Sequence, residues 1–108
     1  GVKDLHRLLH DDRALLAGAF IADKVVGKGA AALMVAGGVR EVYTDVISRG
    51  ALSLFTQSGV EVEFGLLVEN IINRTGTDIC PVEKLCLQCL TVEECLPLID
   101  EFIEQMNR

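Results

Sequence analysis

The apolar stretch over residues 14–39 constrains the fold most, because its centre is built almost entirely from small side chains. Gly27, Gly29 and the alanines at 30–32 place small residues on nearly every face of a helix. Neighbouring elements can therefore approach such a helix closely on several sides. The pattern predicts a central helix over residues 24–36, ended by Gly37-Gly38, where glycine enters the left-handed conformation at little cost.

Three charged residues interrupt this stretch: Asp23, Lys24 and Lys28. We expect Asp23 to cap the helix, with Lys24 and Lys28 one turn apart on one face. Cations at this positive end of the helix dipole cost about 0.3–1 kcal/mol each, so their presence suits a bound phosphate or carboxylate. Asp23 is also the best candidate for a catalytic base. The alternative is that Asp23 only caps and both lysines extend to solvent.

The other elements alternate between strand and helix, and this order predicts a parallel sheet covered by helices. Ser48 is the predicted cap of one helix, and Thr91 begins a capping box. The predicted helices cover residues 2–16, 24–36 and 49–57, one begins at Cys80-Pro81, and the last starts afresh at Pro97. The predicted strands cover residues 39–47 and 60–64, and residues 19–22 are either a strand or an extended lead-in to the helix. Residues 66–72 are predicted to be partly helical and residues 73–78 to form a loop.

Charge and hydropathy exclude several classes of protein. Residues 1–54 carry seven basic and six acidic side chains, whereas residues 55–108 carry three basic and ten acidic ones, for a net charge of −6. The acidic half disfavours binding of a nucleic acid polymer. No apolar run reaches the roughly 18–20 residues of a membrane span. We expect one cytoplasmic domain over residues 1–108, without a membrane partner.

Four segments together resemble a known family. They are ADKVVGK at 22–28, GGVREVY at 37–43, VIS at 46–48 and INRTGTDICPVEKL at 72–85. In this order they are similar to DUF1893, a family of unknown function that resembles the cytidine-deaminase-like fold. The resemblance covers residues 2–86, without the family's N-terminal β-hairpin. It implies a three-layer α/β/α architecture with residues 87–108 as an added C-terminal helical extension, and it suggests a homodimer.

The resemblance also tests the chemistry, because zinc deaminases place a His and a catalytic Glu at one helix start and two Cys at the next. The corresponding segments here are DKVV at 23–26 and SRGA at 48–51. Neither segment contains a zinc ligand pattern. The resemblance therefore indicates a deaminase-like pocket without zinc-dependent deamination, and whether the domain is an enzyme stays open.

The resemblance adds Ser48 and Arg49, at the neighbouring helix start, to the expected ligand pocket. Arg74, Thr75 and Thr77 surround a glycine in the turn-rich loop and can hold an anion. Alternatively, this loop is only a structured turn with hydrogen bonds from its own side chains.

The cysteines and histidines give weak metal signals. The chain has one C-x-x-C motif among its four cysteines, which are Cys80, Cys86, Cys89 and Cys95. A single motif of this kind is more typical of reduced thiols than of a zinc site. His6 and His10 have a chelating i, i+4 spacing, but no acidic or cysteine partner follows at a fixed spacing in the sequence, which is more typical of surface residues. We expect no metal and no cofactor.

Two main hypotheses follow for the function. The first is a pocket at Asp23, Lys24 and Lys28 for a nucleotide-like or other phosphorylated small molecule. The second is a regulatory or protein-interaction domain without chemistry, with its acidic half and C-terminal helix as the contact surface. A cysteine metal-binding domain is the weaker third alternative.

Overall fold

The structure, a computed structural model, describes residues 2–107 and has the mixed α/β character that the sequence predicts. Its elements follow the order α1 (Val2–Asp11), β1 (Phe20–Val26), α2 (Lys28–Ala36), β2 (Glu41–Ser48), α3 (Arg49–Ser58), β3 (Glu61–Val68), α4 (Pro81–Leu85) and α5 (Val92–Met106), with a 3-10 helix at Arg13–Leu15. The strands form one parallel sheet in the order β1-β2-β3. The parallel sheet with its helices confirms the predicted α/β class.

The two faces of the sheet differ in environment. In register across the three strands, Ile21, Val42 and Val62 face the helices and join the core or pack against it. One position further along, Ala22, Tyr43 and Glu63 are exposed. Among residues 2–107 the helices therefore cover one face of the sheet.

Helix α2 is the centre of the molecule, as its small side chains predict. All seven residues from Lys28 to Met34 are buried, and the helix packs against α1, α3 and α5. Helix α5 contributes Cys95, Ile99 and Ile103 to the same core. The C-terminal helix is thus part of the core and not an appendage to it.

Several predicted boundaries were wrong. The first helix ends at Asp11 and not at residue 16, and α5 runs through Pro97 and does not restart there. Strand β3 extends to Val68, where a helical turn was predicted. Local pattern could not locate these ends because neighbouring strands and the core decide them.

The most important correction concerns the start of the central helix. Asp23 does not cap α2, because Asp23 and Lys24 lie within β1 and the helix begins at Lys28 with Gly27 as its N-cap. The β-branched Val25 and Val26 pair with Val46 and Ile47 of β2, which holds this segment extended. Lys24 and Lys28 are therefore not one helical turn apart.

No helix within residues 2–107 is long and apolar enough to cross a membrane.

The close packing of α2 gives a stability prediction at Gly29. A Cβ atom there would lie 2.2 Å from Cγ1 of Val82, which is far inside van der Waals contact. We expect Gly29→Ala to lower the free energy of unfolding by about 1–3 kcal/mol, despite the better helix propensity of alanine. Urea unfolding measures this change. Gln105→Ala, at an exposed position of α5, is the control and should change stability by less than about 0.5 kcal/mol. A Gly29→Ala protein as stable as the wild type would contradict the packing described here.

Candidate functional site

The candidate site lies at the carboxyl edge of the sheet. Strands β1, β2 and β3 end side by side, with Val26 opposite Ile47 and Ser48 opposite Val68. Helices α2 and α3 begin directly after the first two of these strand ends. In open parallel sheets, ligands characteristically bind in the crevice outside the carboxyl ends of the strands.

Glu83 connects the elements at this edge. Its side chain comes from the first turn of α4 and is only 3% exposed. One carboxylate oxygen, Oε1, accepts hydrogen bonds from the backbone N–H of Lys28 at 2.8 Å and from the hydroxyl of Ser48 at 3.0 Å. The other oxygen accepts from the backbone N–H of Ile71. A single carboxylate therefore joins the start of α2, the end of β2 and the segment after β3.

Ser48 is a confirmed helix cap with a second role. Its Oγ accepts a hydrogen bond from the backbone N–H of Ala51 at 3.2 Å, which satisfies a free donor in the first turn of α3. The same hydroxyl donates its proton to Glu83. Ser48 is fully buried and does not face solvent, so it acts on the site only through its hydrogen bond to Glu83.

Lys28 is a buried cation at the start of α2, 9% exposed. Its Nζ donates to the carbonyl oxygens of Cys89 and of Leu87, the latter at 3.4 Å. Its aliphatic stem passes over Gly50, where a Cβ atom would lie 2.9 Å from Cδ of the lysine. Within residues 2–107 the ammonium forms no ion pair with a carboxylate. The nearby Glu83 directs its oxygens to other donors.

A cavity of about 350 Å³ opens beside Lys28 and the first turns of α3. Its walls combine polar groups with apolar ones: Lys28, Arg49, Ser53, Gln57, Glu69, Asn70, Glu83, Leu87 and Leu90. At the rim, Nε of Arg49 donates to Oε1 of Glu69 at 2.8 Å. Both of these side chains are more than half exposed, so the pair contributes only about 0–1 kcal/mol to stability.

A second cavity, of about 320 Å³, lies on the other side of Glu83. Its lining includes Asp23, Gly27, Arg74, Cys80 and Glu83. Asp23 accepts a hydrogen bond from the backbone N–H of its neighbour Lys24. The structure therefore separates the predicted site residues: Lys28 and Arg49 line one cavity, and Asp23 and Arg74 line the other. The exposed Lys24 lines neither of them.

The loop at residues 73–78 is a self-contained turn. The Asn73 side-chain oxygen accepts from the Thr75 hydroxyl and from the backbone N–H of Thr77, both at 3.1 Å. The hydroxyls of Thr75 and Thr77 also contact each other at 2.8 Å. These bonds occupy the groups that were expected to hold an anion, so the geometry favours the structural alternative for both threonines.

The four cysteines are free thiols, and three of them are buried near Lys28. A hydrogen bond from Cys95 lowers the pKa of Cys86 below its ordinary value, although burial opposes this shift. The same bond raises the pKa of Cys95, and burial raises that of Cys89. Such an environment suits packed, protonated thiols at Cys89 and Cys95.

Glu83 is the residue of the candidate site that sequence reasoning missed. It lies in a segment that resembles the family, but a glutamate in the first turn of a helix is commonly solvent-exposed and favourable there. Only its position soon after Cys80-Pro81, next to the apolar Val82, could have drawn attention to it.

Comparison with known proteins identifies the class of domain. The family model described as TM1506, domain of unknown function (DUF1893), matches residues 1–103. The chain belongs to this DUF1893 family, and the match extends beyond residue 86, where the sequence resemblance ended. No curated protein matches the sequence.

A solved relative agrees with the fold. The crystal structure of a DUF1893 family protein from Thermotoga maritima superimposes with a TM-score of 0.79 at 25% sequence identity. The match covers 94% of this chain and 68% of that protein. The family and the parallel α/β core are therefore established together.

The bridging role of Glu83 makes this residue critical for stability. Glu83→Ala should leave the Lys28 and Ile71 N–H groups and the Ser48 hydroxyl without their acceptor, and we expect a loss of about 3–5 kcal/mol. Ser48→Ala should cost less, about 1–2 kcal/mol, because Glu83 retains two donors. Chemical denaturation of both variants measures the difference. Equal losses for the two variants would contradict the central position of Glu83.

The ion pair after the turn gives a pH prediction. A hydrogen bond from Lys84 at 3.0 Å, and then one from the Ile79 backbone N–H, lower the pKa of Asp78 below its ordinary value. Stability from this pair is therefore present above the ordinary pKa and is lost as pH falls through the lowered one. We expect Lys84→Met to raise the pKa of Asp78 in an NMR titration, and Lys84→Arg to leave it low. An unchanged pKa in Lys84→Met would show that the ion pair is not formed in solution.

Proposed function

We propose that the cavity beside Lys28 binds a small phosphorylated molecule of nucleotide type, with its anionic group held by Lys28 and Arg49. One observation carries the proposal. Lys28 is a buried ammonium on the wall of a cavity, with two protons given to backbone carbonyls and with no carboxylate as its ion-pair partner among residues 2–107. A buried charge without a counterion is costly, and an anionic ligand supplies that counterion.

The position of the cavity supports the same proposal. It lies at the carboxyl ends of parallel strands, which is where α/β sheets place their ligands. Its volume is at the lower end of the roughly 300–1,000 Å³ of small-molecule sites. Ser53, Gln57 and Asn70 add hydroxyl and amide groups that can bind a sugar or a base.

The proposal differs in its residues from the one the sequence suggested. It keeps Lys28 and Arg49, with Ser48 acting through Glu83, and it leaves Asp23 and Arg74 to the neighbouring cavity. It does not use the N–H groups at the start of α2 as the anion site, because the Glu83 carboxylate already accepts from Lys28 N–H. It concerns binding and assigns no reaction.

A thermal shift screen tests this proposal. The panel contains nucleoside mono-, di- and triphosphates, their unphosphorylated nucleosides and inorganic phosphate. A ligand at 100 times its Kd adds about 2.7 kcal/mol to stability, which a rise in Tm detects. We expect a phosphorylated member to raise Tm, Lys28→Met to abolish the rise, and Arg49→Gln to reduce it.

The controls separate binding from folding. Lys28→Met keeps the length of the stem and removes the charge, and its Tm without ligand shows whether the domain still folds. Lys24→Gln removes an exposed lysine that lines neither cavity and should leave the ligand shift unchanged. A panel without any stabiliser of the wild type would refute the proposal, as would a full ligand shift in folded Lys28→Met.

An interaction domain without chemistry is the second candidate, and the exposed face of the sheet favours it. Phe20 and Tyr43 on that face are 63% and 37% exposed. The expected contact surface at the C-terminal helix is less suitable, because Cys95, Ile99 and Ile103 of α5 belong to the core. Under this alternative, Phe20→Ser weakens association with a second copy or another protein, and Lys28→Met does not.

A further inference from the structure

A cluster of two histidines and one aspartate joins the first helix to the last, outside both cavities at the carboxyl edge. His6 and His10 lie one turn apart on α1, and Asp100 lies on α5. Oδ1 of Asp100 is 2.8 Å from Nε2 of His6 and 3.4 Å from Nε2 of His10. The sequence shows only the spacing of the histidines, and the fold supplies the third residue from 90 positions further along the chain.

We propose that His6, His10 and Asp100 form a binding site for a divalent transition metal ion of the zinc class. One ligand atom from each residue lies within 4.8 Å of the other two. In a tetrahedral zinc site with bonds of about 2.0–2.1 Å, neighbouring ligand atoms are separated by about 3.3 Å. The two distances to Asp100 bracket this separation, so only small side-chain movements are required.

The hydrogen bonds of the cluster leave Nε2 of His10 with only a long contact. Both imidazole Nε2 atoms approach the same oxygen of Asp100, and the longer contact is near the limit for a hydrogen bond. The two rings lie close together, with centroids 4.4 Å apart. A metal ion would instead give each nitrogen its own bond and leave the carboxylate as the third ligand.

The donor set determines the class of metal. Imidazole nitrogens with one carboxylate suit Zn²⁺, Co²⁺, Ni²⁺ and Cu²⁺, whereas Mg²⁺ and Ca²⁺ prefer oxygen ligands alone. Half of the His10 and Asp100 side-chain surface is exposed, so an ion can reach the site from solvent and retain water at its open position. Glu104 lines the same shallow depression one turn after Asp100 and adds negative charge there.

The consequence of binding is a crosslink between α1 and α5. A metal ion that binds only the folded protein raises its stability by RT ln(1 + [L]/Kd). The ion would connect α1 directly to α5, and both of these helices also pack against α2. The proposal is independent of the nucleotide-type ligand, because it uses none of the residues around Lys28.

Titration of chelator-treated protein with Zn²⁺ and Co²⁺ by calorimetry tests the site. We expect one ion per chain and a higher Tm with metal. His10→Ala and Asp100→Asn should each raise Kd at least about tenfold, and the double variant should bind no ion. Glu93→Gln removes an exposed carboxylate elsewhere on α5 and should leave Kd unchanged.

The cobalt spectrum tests whether the cysteines are the source of binding. A site of two imidazoles and one carboxylate gives no thiolate-to-cobalt charge-transfer band, whereas binding at Cys86, Cys89 or Cys95 gives a strong one. The metal-free Tm of each variant shows that it folds. Absence of stoichiometric binding up to about 1 mM Zn²⁺, undiminished binding in the double variant, or a thiolate band would each overturn the proposal.

Discussion

The Glu83 carboxylate is the interaction on which the carboxyl edge of this domain depends. It replaces the missing side-chain cap of α2, binds the serine that caps α3, and fixes the segment that follows β3. Helix starts and strand ends otherwise carry free N–H groups, which are costly when they are buried. One buried acceptor with three donors removes this cost and sets the relative positions of three elements at once.

This arrangement also explains why a buried lysine stands next to a buried glutamate without pairing with it. The oxygens of Glu83 are committed to other donors, and the Lys28 ammonium turns to the carbonyls of residues 87 and 89. The positive charge therefore stays at the wall of a cavity, where a counterion from solution can reach it. Glycine at position 50 is required for this path, because any side chain there would meet the lysine stem.

The sequence predicts the features that short-range physics decides. Ser48 as a cap and the central place of α2 both follow from nearby residues in the chain. The prediction that Asp23 caps α2 was wrong, although a capping residue before an apolar run is the ordinary sign of a helix start. Pairing of Val25 and Val26 with β2 outweighed that local preference.

The candidate sites were less predictable, since distant parts of the chain assemble them. Glu83 meets Lys28 across 55 positions and Ser48 across 35, and Asp100 meets His6 across 94. No periodicity in the sequence encodes such pairs. The sequence identified only part of each cluster, Lys28 and Ser48 in one and the two histidines in the other, and only the fold completes them.

The long reach of Glu83 has a consequence for the order in which the chain can fold during its synthesis. The ribosome releases β1, α2, β2, α3 and β3 well before residue 83 emerges. Until then, the Lys28 N–H, the Ser48 hydroxyl and the Ile71 N–H lack their common acceptor, and α2 lacks the covering surface of α5. We therefore expect the nascent sheet to stay solvated until the segment that contains Glu83 and α5 has been made and can pack against it.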